Sequence, residues 1–346
     1  MSFLFSPRST LELCHVNTQH KATNTTISSF VLRTYKIVTT VILVMGDSIH
    51  LPPPHPPPLL SADQIEQLLL QGHLPITASP RLQQCLTDLS SASSAFFQNP
   101  AEIKLATYPS SHHTESGYYD VPNQKEYVTF RSIHDDKSSA RDLDLDKAVE
   151  QMWQLTSTLL TRVLSDLSNA IGVPYSFWEP ILDGCLSVPL GELDENLPSL
   201  LRVFKYLPDK GVSDVHTDNG LLTFCDGRDH GLQVWVKDYS FGGAPVGYWE
   251  DAKGPTILIG DTLRILSMNT IVAGRHRVVA NENGRSSIVF ALRASLRGGE
   301  VDLTPVGDVG NKVTMRALHE HMNKSKWNVN SRDKKKQQEK LEKGSG

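Results

Sequence analysis

His216-Thr217-Asp218 and His276 bring two imidazoles and a carboxylate to one chain, and Arg285-Ser286-Ser287 follows nine residues after His276. Two histidines and one carboxylate can hold one face of a metal ion and leave its other positions open, the donor set of non-haem Fe(II) centres. Arginine offers a planar fork of donors that matches a carboxylate, and serine adds a hydroxyl donor. The expected chemistry is therefore a metal with open positions beside an anchor for an organic acid. None of these residues is telling alone. His-x-Asp is frequent by chance, and an arginine after a turn is ordinarily a surface residue.

Strands are the elements best suited to position this set. Residues i and i+2 of an extended segment share a face, so His216 and Asp218 can point into one cavity. His276 lies 58 residues after Asp218 (276 − 218), on a later run that a sandwich can bring alongside. Asn283-Gly284 is a strong signal for a two-residue hairpin. Such a turn pairs His276 with Ala291, Ala280 with Ser287 and Glu282 with Arg285, and it puts His276, Arg285 and Ser287 on one face. It also leaves a gap: His276 and Ala280 are about 13 Å apart along a strand, with Arg285 farther still.

Short strand-like runs dominate after Pro198: Leu200–Tyr206, Leu221–Cys225, Leu232–Val236, Thr256–Ile259, Leu263–Leu266, Arg275–Val279 and Ser286–Leu292. Gly, Asp and Asn punctuate them, a pattern that suggests a sandwich or barrel. Helical signals precede them. Ser61 with Gln64 forms a capping box before Ile65, Leu68 and Leu69, and Gly72 is the expected C-terminal cap. A second helix is expected from Pro80 to Phe97. A long one is expected from Leu143 to Ile171, where Gly172 and Pro174 end it. Tyr108–Arg131 reads as an irregular tyrosine-rich segment. With a C-terminal helix near His319–Trp327, it is the expected pocket wall or lid. The fold class is mixed α/β (α+β), with helices first and a β core after them.

The bulk numbers exclude several classes. The 346 residues carry a net charge of −4, which gives no general attraction to nucleic acid or anionic membrane. Cys14, Cys85, Cys185 and Cys225 are scattered, as expected of free thiols in a reducing, cytoplasmic compartment. The apolar run Ile37–Met45 is too short to span a bilayer, which needs about 20 residues, and no small-residue cleavage site follows it. Residues 1–44 read either as an irregular extension or as residues ahead of a natural start at Met45. The expected organisation is an extension with a proline-rich arm over 1–58, one domain over 59–330 and a charged tail over 331–346. Within the domain, 59–197 is helical, 198–296 is the β core and 297–330 is the C-terminal segment. A monomer is expected.

Taken together, His216-Thr217-Asp218-Asn219-Gly220-Leu221-Leu222-Thr223, Gly231-Leu232-Gln233-Val234, Gly260-Asp261, His276-Arg277-Val278 and Arg285-Ser286-Ser287 resemble the core of the isopenicillin N synthase-like Fe(II)/2-oxoglutarate dioxygenases. The likeness covers roughly residues 60–330. It implies a double-stranded β-helix (jelly-roll) core with helices packed on it. It implies His216, Asp218 and His276 as ligands of Fe(II), and Arg285 and Ser287 as the anchor of 2-oxoglutarate. It also places Tyr206 beside the cosubstrate, although Leu207 interrupts the Tyr-Pro that many members carry. The implied activity consumes O2 and 2-oxoglutarate, releases succinate and CO2, and hydroxylates, desaturates or cyclises a small organic substrate, as in specialised metabolism. Two alternatives stay open. One is an iron oxidase of the isopenicillin N synthase type that uses no 2-oxoglutarate; the other is a non-catalytic jelly-roll binding protein. A zinc hydrolase would leave Arg285 and Ser287 without a role.

Overall fold

The first described helix, α1 (Ala62–Gln71), begins where Ser61 Oγ accepts from Gln64 N at 3.3 Å and Gln64 Oε1 accepts from Ser61 N at 2.9 Å. This reciprocal cap satisfies two backbone donors that the first turn leaves open. Gly72 ends the helix in the left-handed region, as expected of a glycine cap. The structure, a computed structural model, describes residues 57–110, 115–133, 142–227, 230–238 and 246–325. The expectations for residues 1–56, for Trp327 and for the charged tail lie outside the described residues.

Strand β1 (His73–Pro75) follows, then helices α2 (Pro80–Gln98) and α3 (Ala101–Thr107). Strands β2 (Gly117–Val121) and β3 (Lys125–Phe130) precede the long helix α4 (Leu143–Ala170) and the short α5 (Glu179–Leu182). The β core comprises β4 (Leu200–Tyr206), β5 (Ser213–His216), β6 (Leu222–Gly227), β7 (Leu232–Asp238), β8 (Val246–Asp251), β9 (Thr256–Ile259), β10 (His276–Val278) and β11 (Arg285–Leu292). Helix α6 (Asp261–Leu266) interrupts it. After it come the small pair β12 (Glu300–Asp302) and β13 (Lys312–Thr314) and the last helix, α7 (Met315–Ser325).

Two antiparallel sheets face each other. The larger has the order β1-β9-β6-β11-β4-β3-β2 and the smaller β5-β10-β7-β8. Both faces of the larger sheet are covered, so its strands alternate between two buried environments. Leu201, Val203, Ile288, Phe290 and Leu292 pack with the helices, where Phe290 meets Trp153 of α4 edge-on at 5.0 Å. On the opposite face, Phe204, Tyr206, Cys225 and Leu258 pack with Leu232, Val234 and Val278 of the smaller sheet. That strand alternation sends Arg202, Phe204 and Tyr206 of β4, and Arg285 and Ser287 of β11, into the space between the sheets.

Three expectations are corrected. The hairpin at Asn283-Gly284 does not form. β10 pairs with β5 and β7, whereas β11 pairs with β4 and β6 in the other sheet. A type I′ turn needs positive φ at both central residues, and only Gly284 has it (φ 74°). The turn closes instead from Gly284 N to Asn281 O at 3.1 Å and carries the chain from one sheet to the other. Leu263–Leu266 is helical, not a strand. A run of four apolar-rich residues cannot distinguish the two by period, and Leu263 and Leu266 are buried at helical i, i+3 spacing. Finally, Tyr108–Arg131 contains the hairpin of β2 and β3, turned at Asn123 with φ 60°. Asparagine tolerates that conformation better than most residues.

Candidate active site

Register brings the two histidines together. His276 of β10 pairs directly with His216 at the end of β5, and their ring centroids lie 4.2 Å apart. His216 Nδ1 lies 2.7 Å from Asp214 O, and His276 Nδ1 lies 3.1 Å from Gly274 O. A carbonyl only accepts, so each Nδ1 carries the proton and each Nε2 presents its lone pair. Both Nε2 atoms face Asp218 Oδ1, at 3.8 and 3.9 Å.

Electrostatics fit the same picture. Burial first, and His216 second, push His276 down to about 4, so its ring is neutral near pH 7. Burial tends to raise the Asp218 carboxyl, but the charge of His276 and His216 in their protonated forms outweighs it and holds Asp218 below its ordinary value. One ligand atom from each residue lies within 4.8 Å of the others. Three lone-pair atoms facing one point repel one another unless a cation lies among them. The donor set therefore fits a single metal ion held on one face, with the cavity side open.

A clasp holds the loop that carries Asp218. Asp261 N donates to Asp218 O at 2.7 Å, Thr217 Oγ1 donates to Asp261 Oδ2 at 2.5 Å, and Thr262 Oγ1 donates to Asn219 O at 2.5 Å. A Cβ on Gly260 would lie 2.0 Å from Gly220 O, so only glycine allows this approach. Gly260-Asp261 is thus a positioning element. Its spacing from the His-x-Asp segment is visible in the sequence, but its hydrogen bonds are not.

Arg285 occupies the other end of the cavity. It is 5% exposed, and its Nε and Nη2 are buried without a hydrogen-bond partner among the described residues. Such orphaned donors are costly, and they fit an anionic group. Arg285 pairs in register with Tyr206, whose ring centroid is 5.6 Å from the guanidinium carbon. A Cβ on Gly227 would fall 2.4 Å from Arg285 Nη2, so this glycine makes room for the fork. Ser287 Oγ donates to Asp226 O at 2.9 Å; it must turn that hydrogen into the cavity to assist Arg285. Facing sheets therefore remove the distance problem of the expected hairpin, because metal set and anchor sit on opposite walls.

A cavity of about 280 Å³ contains all six expected residues, His216, Asp218, His276, Arg285, Ser287 and Tyr206. It also contains Lys125, Arg202 and Arg293, which sequence reasoning did not single out. Lys125 is 2% exposed and pairs in register with Tyr206. No motif marks these cations. Strand alternation could have flagged Arg202, a charge inside an apolar run two residues from Phe204. His319 of α7 borders a small neighbouring cavity with Asn219 and Arg293, not the main one.

No family model matches the chain. A protein of Dothideomycetidae sp. named 2-oxoglutarate-dependent dioxygenase frbH is 35% identical over 135 residues, which is 35% of this chain and 38% of that protein. The match thus spans well under half of the relative's length. Among solved structures, a putative 2OG-Fe(II) oxygenase family protein from Caulobacter crescentus superposes with a TM-score of 0.58 at 17% identity, over 76% of this chain and 92% of that one. A full-length Neurospora crassa protein, in complex with alpha-KG and 5-formyluracil, gives 0.56 at 18% identity, over 75% and 88%. With facing antiparallel sheets, helices on the larger one and these likenesses, the chain has the jelly-roll fold of the 2OG-Fe(II) oxygenases, as the resemblance in its sequence implies.

Proposed function

We propose that this chain is an Fe(II)- and 2-oxoglutarate-dependent dioxygenase acting on a small organic substrate. The observation that carries the reading is the pairing of a three-atom acceptor set with buried, partnerless arginine donors across one cavity. His216, Asp218 and His276 would hold Fe(II). Arg285, aided by Ser287 and flanked by Tyr206, would hold the distal carboxylate of 2-oxoglutarate. When bound, iron, 2-oxoglutarate and O2 together supply oxidative decarboxylation and hydrogen abstraction from the substrate.

The residues of the chain do the rest. Backbone carbonyls of Asp214 and Gly274 fix both imidazoles with Nε2 inward, the outer-shell arrangement that orients ligating histidines. Leu232, Leu258, Val278 and Val289 line the cavity and limit the water around the anchor, which strengthens charge-assisted hydrogen bonds there. The catalytic unit is residues 59–330. We further read the enzyme as monomeric and cytoplasmic; Cys85, Cys185 and Cys225 are free among the described residues, as thiols of a reducing compartment are. Among the described residues no helix is long and apolar enough to cross a membrane.

The test is an anaerobic titration of the full chain with Fe(II) and then 2-oxoglutarate, followed by absorbance. A metal-to-ligand charge-transfer band is expected for the native chain and none for Asp218→Ala. No band in the native chain, or full turnover without 2-oxoglutarate and without succinate release, would overturn the reading.

A further inference from the structure

The cavity has a second cationic end. Arg202 lies on the inward face of β4, four residues from Tyr206, which is about 13 Å along a strand. Arg293 follows the end of β11, eight residues from Arg285. Both line the cavity that holds His216, Asp218 and His276, and Asn219 lines it beside them. They are therefore separate from the Arg285 end by sheet register.

Within ion-pair distance the two arginines have, among the described residues, one carboxylate between them. Glu115 Oε2 accepts from Arg293 Nη1 at 3.0 Å and lies 3.7 Å from Arg202 Nη2. Thr129 Oγ1 accepts from Arg202 Nε at 2.7 Å. Two guanidiniums thus share one carboxylate, and Glu115 is not among the residues lining the cavity. It holds the pair from behind. Arg293 Nε is buried with no hydrogen-bond partner among the described residues. Arg202 is 5% exposed, clamped beside the rings of Tyr127 and Phe204 with centroids at 5.2 and 5.6 Å. Holding a buried arginine rigid at a cavity wall is costly unless an anion compensates it.

We propose that Arg202 and Arg293 form the recognition site for a carboxylate on the primary substrate, which is therefore a small organic acid. The geometry suits a planar anion, since a guanidinium fork pairs with a carboxylate through parallel hydrogen bonds. Asn219 supplies a neutral contact at the same wall. The remaining cavity surface, with Val215, Leu258 and Val289, suits an apolar body. The proposal rests on the oxygenase reading for the assignment of Arg285 to the cosubstrate.

The experiment uses the full chain, anaerobic, with and without Fe(II) and 2-oxoglutarate. Isothermal titration compares benzoate, 3-phenylpropanoate and octanoate with their primary amides. At least one acid is expected to bind tenfold or more tightly than its amide. That preference should vanish in Arg202→Gln and Arg293→Gln, persist in Arg285→Gln, and return in part in Arg293→Lys. No preference in any pair, a preference that survives both glutamine variants, one lost only in Arg285→Gln, or no recovery in Arg293→Lys would overturn the proposal. The charge-transfer band, read before any acid is added, reports on the oxygenase reading separately.

Discussion

Arg285 and its neighbours show how much a single side chain depends on the space left for it. The guanidinium is buried with two nitrogens unpartnered, and Gly227 supplies the room it needs. Hydrogen bonds to charged groups contribute about 1.5–3 kcal/mol each, and about 1.4 kcal/mol is tenfold in affinity. Arg285→Gln should therefore weaken 2-oxoglutarate binding by about 10–100-fold while Fe(II) binding is retained. Separate titrations of metal and cosubstrate check this; equal loss of both would show a structural effect instead. Gly227→Ala should act in the same direction, because its Cβ would displace the fork. An unchanged 2-oxoglutarate affinity in that variant would count against the anchor role. At this scale the residue types are legible in the sequence. His216, Asp218, His276, Arg285 and Ser287 each match a defined chemistry, and the cavity brings all five together.

Elements decide whether those residues meet. The Asn283-Gly284 dipeptide promises a hairpin, yet the chain uses it to pass between sheets, because strand partners are chosen by the buried faces of the whole sandwich. Leu200–Tyr206 is an easy strand to read because both its faces are buried, and its residues are apolar nearly throughout. Arg202 and the partly exposed Lys205 depart from that pattern, and the buried Arg202 marks the cavity. Helix α6 was obscured by its shortness. Its N-terminal Asp261 clasps the Thr217–Asp218 loop through side chain and backbone. Asp261→Asn keeps the shape but removes the charge that Thr217 and Arg264 share. Fe(II) affinity should fall by about 10–100-fold, as is typical when outer-shell partners of a metal site are lost. A competition titration with a metallochromic chelator measures it, and an unchanged affinity would remove Asp261 from the positioning role.

For the molecule as a whole, acid should be more damaging than base. Glu126 on β3 is joined to Lys104 of α3, to Tyr118 of β2 at 2.7 Å and to Lys205 of β4 at 3.3 Å. Burial tends to raise its pKa, but hydrogen bonds from Lys104 and Tyr118 and the lysine charges outweigh this and hold it below 4.5. A carboxyl depressed on folding contributes stability that is fully present above its unfolded pKa and is lost as pH falls through the folded one. Buried His73 of β1, lowered chiefly by burial, has the same sign beginning near 6.5. Urea midpoints should therefore drop between pH 7 and about pH 3, through His73 first and through Glu126 below about 4.5. The drop should be shallower in Glu126→Gln, which should also be less stable at neutral pH. A native profile flat over that range would contradict this account.

Residue order along the chain was enough to indicate the caps of the first helix, most strands of the β core, a sandwich or barrel and the chemical types at the site, because caps, periodicity and ligand chemistry are local properties. Tertiary structure alone decided that metal set and anchor face each other from opposite sheets, that Gly260-Asp261 braces the Asp218 loop, and that Arg202, Arg293 and Lys125 share the cavity. Those facts depend on which strands pair and which faces meet. That choice is made by burying both faces of the larger sheet at once, and no single stretch of sequence contains it.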